Sequence, residues 1–120
     1  MKNNPKFTLV GAGPGDIDLI TVKGINAIAT ANVILYDALV NPELLKYAQA
    51  DALKIYVGKR NSNHTYTQDQ INTLIIDFAF SHGHVVRLKG GDSFVFGRGY
   101  EELANAESFD IETVIIPGIS

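Results

Sequence analysis

Short apolar runs alternate with amphipathic helical patterns along the whole chain, and this alternation limits the possible folds more than any other feature. It is typical of parallel strands joined by crossover helices, because the helices cover both faces of such a sheet. The runs interpreted as strands are Phe7 to Val10, Val33 to Tyr36, Lys54 to Val57, Val85 to Leu88 and Thr113 to Ile116. The sequence therefore predicts an α/β domain with about five mostly parallel strands flanked by helices.

The helical patterns between these runs have recognisable ends. The first helix is predicted to begin near Thr21, and the residues expected on its buried face are Val22, Ile25, Ile28 and Ala29. Asn41-Pro42 is typical of an N-cap followed by proline in the first turn. Thr67 and Gln70 fit a capping box, and Gly83 is the expected end of the helix that they open. A polar helix is predicted near Tyr100 to Ala106.

Length and composition restrict the class of protein. A chain of 120 residues is enough for one domain, and a formal net charge of −3 argues against a dedicated nucleic-acid binder. The absence of cysteine excludes disulfides and thiolate metal sites and fits a reducing compartment. The segment Met1 to Phe7 lacks the apolar core of a signal peptide, and no apolar run approaches membrane-spanning length. We therefore expect a soluble, cytoplasmic protein without a membrane partner.

Chemically unusual residues follow directly after every predicted strand. These segments are Gly11 to Asp16, Asp37, Gly58 to Arg60, Lys89 to Asp92 and Pro117 to Ser120. Parallel strands all end at one edge of their sheet, and open α/β sheets bind ligands at that carboxyl edge. Because all these strand ends agree, the sequence predicts a ligand site there.

The first of these segments, Gly11 to Asp16, is similar to a nucleotide-binding loop but departs from the known fingerprints. Asp16 stands where a dinucleotide fingerprint has its final glycine, and the Gly-Lys-Ser/Thr of a P-loop is missing. Pro14 removes an amide donor, and the Asp16 carboxylate would repel phosphate. The loop therefore favours a ligand without phosphates, such as a nucleoside.

The charged residues at the other strand ends leave alternatives open. Asp37 could hold ribose hydroxyls in a dinucleotide site or act as a general base. Lys59 and Arg60 could bind substrate carboxylates or supply a proton, and the alternative is two solvated side chains. His64, in the following loop, could join them.

Two histidines, His82 and His84, flank Gly83 at a helix-to-strand turn. With no cysteine in the chain and no carboxylate close by in the sequence, a metal site there is not favoured. We expect both histidines on the surface.

Six motifs occur along the chain in the order VGAGPGD, LITVKG, ILYDALV, VGKR, VVRLKGGDSFVFGRGYEEL and IIPGIS. In this order they resemble the amino-terminal half of the tetrapyrrole methylase family over essentially the whole sequence. The combination of ILYDALV, VGKR and RLKGGDSFVFGRG is most similar to the members that methylate uroporphyrinogen III. The resemblance implies S-adenosylmethionine as methyl donor, bound between two α/β domains.

The resemblance also implies roles for individual residues. Asp37 is the implied proton acceptor and Lys59 the implied proton donor. The implied donor-binding residues are Pro14, Gly90, Gly91, Asp92, Val95 and Ser120. The residues expected to bind the carboxylates of uroporphyrinogen III are Arg60, His64, Lys89 and Arg98.

Domain organisation follows from the same resemblance. Residues 1–120 match only the first of the family's two domains, so we expect an amino-terminal domain whose second domain is absent and which is inactive alone. The full-length protein is expected to be a homodimer that serves sirohaem or cobalamin biosynthesis. Two alternatives remain: a nicotinamide-dependent oxidoreductase domain with Asp37 on ribose, against which Asp16 counts, and a non-catalytic binding or assembly domain.

Overall fold

A computed structural model describes residues 4–13, 20–58, 66–90 and 99–118. The elements in chain order are β1 (Lys6–Gly13), α1 (Val22–Thr30), β2 (Val33–Tyr36), a 3₁₀ helix (Pro42–Tyr47), β3 (Leu53–Tyr56), α2 (Gln68–His82), β4 (His84–Gly90), α3 (Gly99–Ser108) and β5 (Glu112–Ile116). The predicted strands are confirmed, and β1 and β4 continue further toward their carboxyl ends than predicted.

The described strands form one parallel sheet in the order β3-β2-β4-β1-β5. The register places Thr8 of β1 opposite Val86 of β4 and Val114 of β5. On the other side of β4, Val85 lies opposite Val33 of β2. Because every pair is parallel, all described carboxyl ends lie at one edge, which confirms the predicted fold class.

The predicted helix ends are confirmed by their capping contacts. The Thr21 hydroxyl accepts a hydrogen bond from the Gly24 N–H at 3.1 Å. The Thr67 hydroxyl accepts from the Gln70 N–H at 3.1 Å, and the Gln70 side chain accepts from the Thr67 N–H at 2.9 Å, which completes the capping box. Gly83 ends α2 with a φ of 111°, a conformation that favours glycine.

The Asn41-Pro42 segment opens a 3₁₀ helix, and the Asn41 side chain accepts a hydrogen bond from the Glu43 N–H at 3.0 Å. The predicted buried face of α1 is wrong at Val22, which is 73% exposed. The face of α1 that packs on the sheet carries Gly24, Ala27 and Ile28, and Val22 lies off it in the first turn. A β-carbon on Gly24 would lie 3.1 Å from Val10 Cγ1 in β1 and 2.8 Å from Ile20 Cγ1, so glycine allows the close approach of α1 to the sheet.

Apolar side chains fill both faces of the sheet. On one face, strand residues pack against α2 and α3 through Ile71, Ile75, Ala79 and Ala106. On the other face they pack against α1 and the 3₁₀ helix through Ala27, Ile28 and Leu44. In β4 the residues alternate accordingly, so Val85 faces α2 while Val86 and Leu88 face α1.

At the amino edge of the sheet, His84 is half-buried, and its predicted surface position is wrong. The His84 ring Nε2 lies 2.8 Å from the buried Thr8 hydroxyl, and the His84 N–H donates to Asn32 Oδ1 at 2.9 Å. Burial lowers the pKa of His84, and the backbone of Thr30 opposes this by accepting a hydrogen bond from the ring. His84 therefore completes a neutral network that joins β1, β4 and the segment before β2. The ring of His82 is exposed, as predicted.

Candidate active site at the carboxyl edge of the sheet

Two adjacent strands end in glycine at the carboxyl edge of the sheet. β1 ends at Gly13 and β4 at Gly90, and these two glycines are register partners beyond an irregularity between Gly11 and Gly13. Glycine has no β-carbon, so no side chain projects from either of these two positions. The predicted ligand site therefore lies at an edge where the adjacent strands β1 and β4 both end in glycine.

The loop after β2 is held beside this gap. The Asp37 side chain accepts a hydrogen bond through Oδ1 from the Leu39 N–H at 3.0 Å, and the Asp37 carbonyl accepts from the Val40 N–H at 3.2 Å. A β-carbon on Gly90 would lie 2.3 Å from the Leu39 carbonyl carbon. A β-carbon on Gly58 would lie 2.9 Å from the backbone nitrogen of Ala38. Gly90, at the end of β4, and Gly58, two residues after β3, thus lie against the backbone of this loop and restrict the position of the Asp37 carboxylate.

Asp37 faces a buried arginine in the neighbouring strand. Arg87 Nη1 lies 3.9 Å from Asp37 Oδ2, and the two side chains are 6% and 19% exposed. On its other side, Arg87 Nε lies 3.5 Å from Oε2 of Glu102, whose side chain is fully buried in α3. Gln68, at the start of α2, donates from Nε2 to the same Glu102 oxygen at 3.1 Å. One guanidinium therefore stands between two carboxylates.

The fourth charged residue of this site is Lys89, two residues further along β4 and on the same face of the sheet as Arg87. Burial lowers the pKa of the Lys89 ammonium, and the Arg87 guanidinium lowers it further, while the carboxylates of Glu102 and Asp37 oppose both effects. We call Asp37, Arg87, Lys89 and Glu102 the ionic cluster. Its formal charges balance, which is how four ionisable groups are tolerated at the end of an apolar layer.

Sequence reasoning missed two members of the ionic cluster. The sequence places Arg87 in a buried strand and Glu102 in a polar helix, both within one family motif, and gives neither a role in the site. Signals for both exist: Arg87 interrupts the apolar run Val85 to Leu88, and Glu102 lies four residues before the buried Ala106 on one helix face. The pattern alone does not show that each buried charge is the other's partner.

Three of the predicted site residues fall within the described ranges, and the structure brings Asp37, Lys89 and Gly90 together at the carboxyl edge. The remaining ones lie outside the described residues, namely Pro14, Lys59, Arg60, His64, Gly91, Asp92, Val95, Arg98 and Ser120. Within 4–13, 20–58, 66–90 and 99–118, no group of three or more His, Asp or Glu side chains could hold a metal ion. No helix in the same ranges is both long and apolar enough to cross a membrane.

Residues 6–120 match the family described as Tetrapyrrole (Corrin/Porphyrin) Methylases. Since the match covers nearly the whole chain, the protein belongs to the tetrapyrrole methylase family, as the motifs indicated. A uroporphyrinogen-III C-methyltransferase of Methanocaldococcus jannaschii is 52% identical over 115 residues, which are 96% of this chain and 48% of that relative. A siroheme synthase of Actinobacillus pleuropneumoniae is 49% identical over 121 residues, covering 98% of this chain and 25% of the relative.

The solved structures that are similar to this chain are also of methyltransferases. The uroporphyrin-III C-methyl transferase of Thermus thermophilus in complex with S-adenosylhomocysteine is 39% identical, with a TM-score of 0.75 over 96% of this chain and 45% of that one. The chain thus spans about half the length, or less, of the relatives that it matches.

Proposed function

We propose that this chain is the amino-terminal domain of a two-domain methyltransferase that transfers methyl groups from S-adenosylmethionine to carbon atoms of uroporphyrinogen III, toward sirohaem or cobalamin. The observation that carries the proposal is the Asp37 carboxylate, held beside Arg87 next to side-chain-free strand ends. Family membership and the names of the relatives support it.

The described part of the donor site fits such a ligand. Gly13 and Gly90 end two adjacent strands without side chains, which suits a flat nucleoside at this edge of the sheet. The residues proposed to hold the donor are Pro14, Gly90, Gly91, Asp92, Val95 and Ser120. When bound, S-adenosylmethionine would supply an electrophilic methyl group that needs little further activation.

The proposed reaction gives Asp37 a defined task. A pyrrole carbon of the substrate forms a new bond to the methyl carbon while the carbon–sulfur bond breaks and sulfur keeps the electron pair. The ring system is left cationic and must lose a proton, which Asp37 accepts. Lys59 is the proposed proton donor. Much of the rate comes from alignment of the two carbons and exclusion of water.

The substrate carboxylates require cations at this edge. Lys89 is the described candidate, and Arg60, His64 and Arg98 complete the proposed set. Cations gathered at one edge are consistent with a chain whose formal net charge is −3. We further propose that the full-length protein is a homodimer located in the cytoplasm, where reducing conditions protect a porphyrinogen from oxidation.

A nicotinamide-dependent oxidoreductase is the competing activity. In that role Asp37 would hold two ribose hydroxyls, but its Oδ1 already accepts from the Leu39 N–H and its Oδ2 faces Arg87. Thermal unfolding of the 120-residue chain with S-adenosylhomocysteine or NAD compares the ligands directly, since a ligand stabilises only a state that it binds. Stabilisation by NAD alone would contradict the proposal. We expect weak binding of S-adenosylhomocysteine by residues 1–120 alone, because they match only about half the length of the relatives.

The catalytic assignment is tested in the two-domain protein, whose second half is native or comes from the Methanocaldococcus jannaschii relative. Asp37→Ala is expected to lower kcat for uroporphyrinogen III methylation by roughly 10²–10⁴-fold, with donor affinity retained. Asp51→Ala changes an exposed aspartate in the turn before β3, and serves as the matched control. Normal turnover with lost donor affinity would make Asp37 a ribose ligand. For Lys59→Met, a rise confined to the KM of the donor would rule out its proposed role.

A further inference from the structure

Glu102 is a buried carboxylate without a role in the reaction proposed above. Its side chain is fully buried, its Oε2 accepts from Gln68 Nε2 at 3.1 Å, and that same oxygen lies 3.5 Å from Arg87 Nε. Glu102 Oε1 and two nitrogens of Arg87, Nε and Nη1, have no hydrogen-bond partner among the described residues. A buried charge is costly unless it is paired, so this arrangement requires an explanation.

We propose that Glu102 is a positioning residue, which acts through Arg87 to keep the guanidinium from closing onto the Asp37 carboxylate. The proposal rests on the proposed function, in which Asp37 accepts the proton. Glu102 does not contact Asp37, and the described contact between them runs through the planar guanidinium of Arg87. Because that group is rigid, a carboxylate that attracts Nε also limits where Nη1 can lie.

The distances support this role for Glu102. Charge-assisted hydrogen bonds between Arg and carboxylates are about 2.7–2.9 Å long. Both contacts of Arg87 are longer, at 3.5 Å to Glu102 and 3.9 Å to Asp37. An arginine shared between two carboxylates forms a tight pair with neither, and this leaves Asp37 Oδ2 able to take up a proton.

Removal of the Glu102 charge should let Arg87 move to its only remaining described carboxylate. Asp37 Oδ2 would then be occupied by a close ion pair and would be a poorer proton acceptor. Donor binding would be preserved, because Arg87 and Glu102 lie on the α2 and α3 side of the sheet and not among the proposed donor-binding residues. A purely structural salt bridge makes a different prediction, namely loss of stability with unchanged kcat.

The test is a double-mutant cycle on kcat in the two-domain protein, with Glu102→Gln, Arg87→Gln and the pair of changes. Glu102→Gln is expected to lower kcat about tenfold or more while the KM for S-adenosylmethionine changes by less than about twofold. In the Arg87→Gln background, the same change should lower kcat by less than about twofold, because Glu102 acts only through Arg87. Glu101→Gln, on the exposed neighbour in α3, is the matched control.

Each outcome of this cycle either supports or overturns the positioning role of Glu102. Unchanged kcat in Glu102→Gln, an equal fall in both backgrounds, or an effect confined to KM overturns the positioning role. If Glu102→Gln does not fold, the shorter Glu102→Asp carries the test, because it keeps the charge but draws it back from Arg87: a fall in kcat of about threefold supports the role and unchanged kcat overturns it. A wild-type two-domain protein without methyl transfer would overturn the proposed function, and this inference with it.

Discussion

The two ends of β4 hold polar groups in opposite ways. At the amino end, His84 belongs to a network of uncharged partners at hydrogen-bond distance, 2.8 Å to the Thr8 hydroxyl and 2.9 Å to Asn32 Oδ1. Toward the carboxyl end, Arg87 lies between two carboxylates at 3.5 and 3.9 Å, and two of its nitrogens have no hydrogen-bond partner among the described residues.

The polar groups at the amino end of β4 complete the structure, whereas those at the carboxyl end are available for chemistry. Neutral groups at the amino end satisfy one another at little electrostatic cost, and the network closes the end of the sheet. Buried charges at the carboxyl end cost stability that apolar residues of similar volume would not, which is consistent with the positioning role proposed for Glu102. The following changes test this contrast, from the largest expected effect to the smallest.

The largest effect on stability is expected for Arg87→Leu. This change leaves the fully buried Glu102 carboxylate without its cation, and breaking a buried ion pair costs about 3–5 kcal/mol. Urea denaturation of the chain measures the loss. As a control, the double change Arg87→Leu with Glu102→Leu should restore most of the free energy of unfolding. A single variant as stable as the wild type would show that these charges are already hydrated.

Gly90→Ala should have the next largest effect. The new methyl group would lie 2.3 Å from the Leu39 carbonyl carbon, so the loop that carries Asp37 must move, at a cost of about 1–3 kcal/mol. Gly24→Ala is the comparison and should cost less, because its methyl group would meet side-chain atoms of Ile20 and Val10 and not backbone, and alanine favours the helix. The free energies of unfolding are compared by urea denaturation. Equal losses for the two variants would contradict the close approach at Gly90.

Thr8→Val tests the amino end with a change of nearly equal shape. It removes the hydroxyl that pairs with the His84 ring, and the loss of such a neutral hydrogen bond costs about 1 kcal/mol. Thr113→Val, in the edge strand β5, is the control. A loss as large as that of Arg87→Leu would remove the contrast between the two ends.

The smallest effect is a dependence of stability on pH. Burial lowers the pKa of folded His84 below its ordinary value of 6.5, so the unfolded chain binds a proton more readily. The stability that neutral His84 contributes is therefore complete above pH 6.5 and is lost as the pH falls below that value. Between pH 7.5 and 5.5, the Tm of the wild type should fall more than that of His84→Gln, a range set by about one unit either side of the ordinary pKa. Equal falls would contradict the assignment.

The parts of the fold that the sequence predicted are those fixed by local chemistry. The capping box of Thr67 and the stop at Gly83 each depend on a few neighbouring residues, and both were located correctly. The inward face of α1 was wrong at Val22, since the packing of this helix is decided by the space above the sheet and not by hydrophobicity alone.

The location of the candidate site was predictable from the sequence, but one of its pairings was not. Parallel strands must end at one edge, so the shared location of Asp37, Lys89 and Gly90 followed from the topology. The pairing of Arg87 with Glu102 did not follow from the topology. It joins a strand to a later helix, and each of the two charges can be buried only because the other is present. Local sequence patterns do not show which distant residues form such a pair.

The strand order also determines when the sheet can assemble during synthesis. β1 is made first and ends at Gly13, yet its neighbours are β4 and β5, which begin at His84 and Glu112. β2 and β3 are adjacent in both chain and sheet, so that pair can form while β1 still has both edges unpaired. In a nascent chain, β1 therefore has both edges unpaired until β4 has been synthesised, and such edges are prone to pair with other chains.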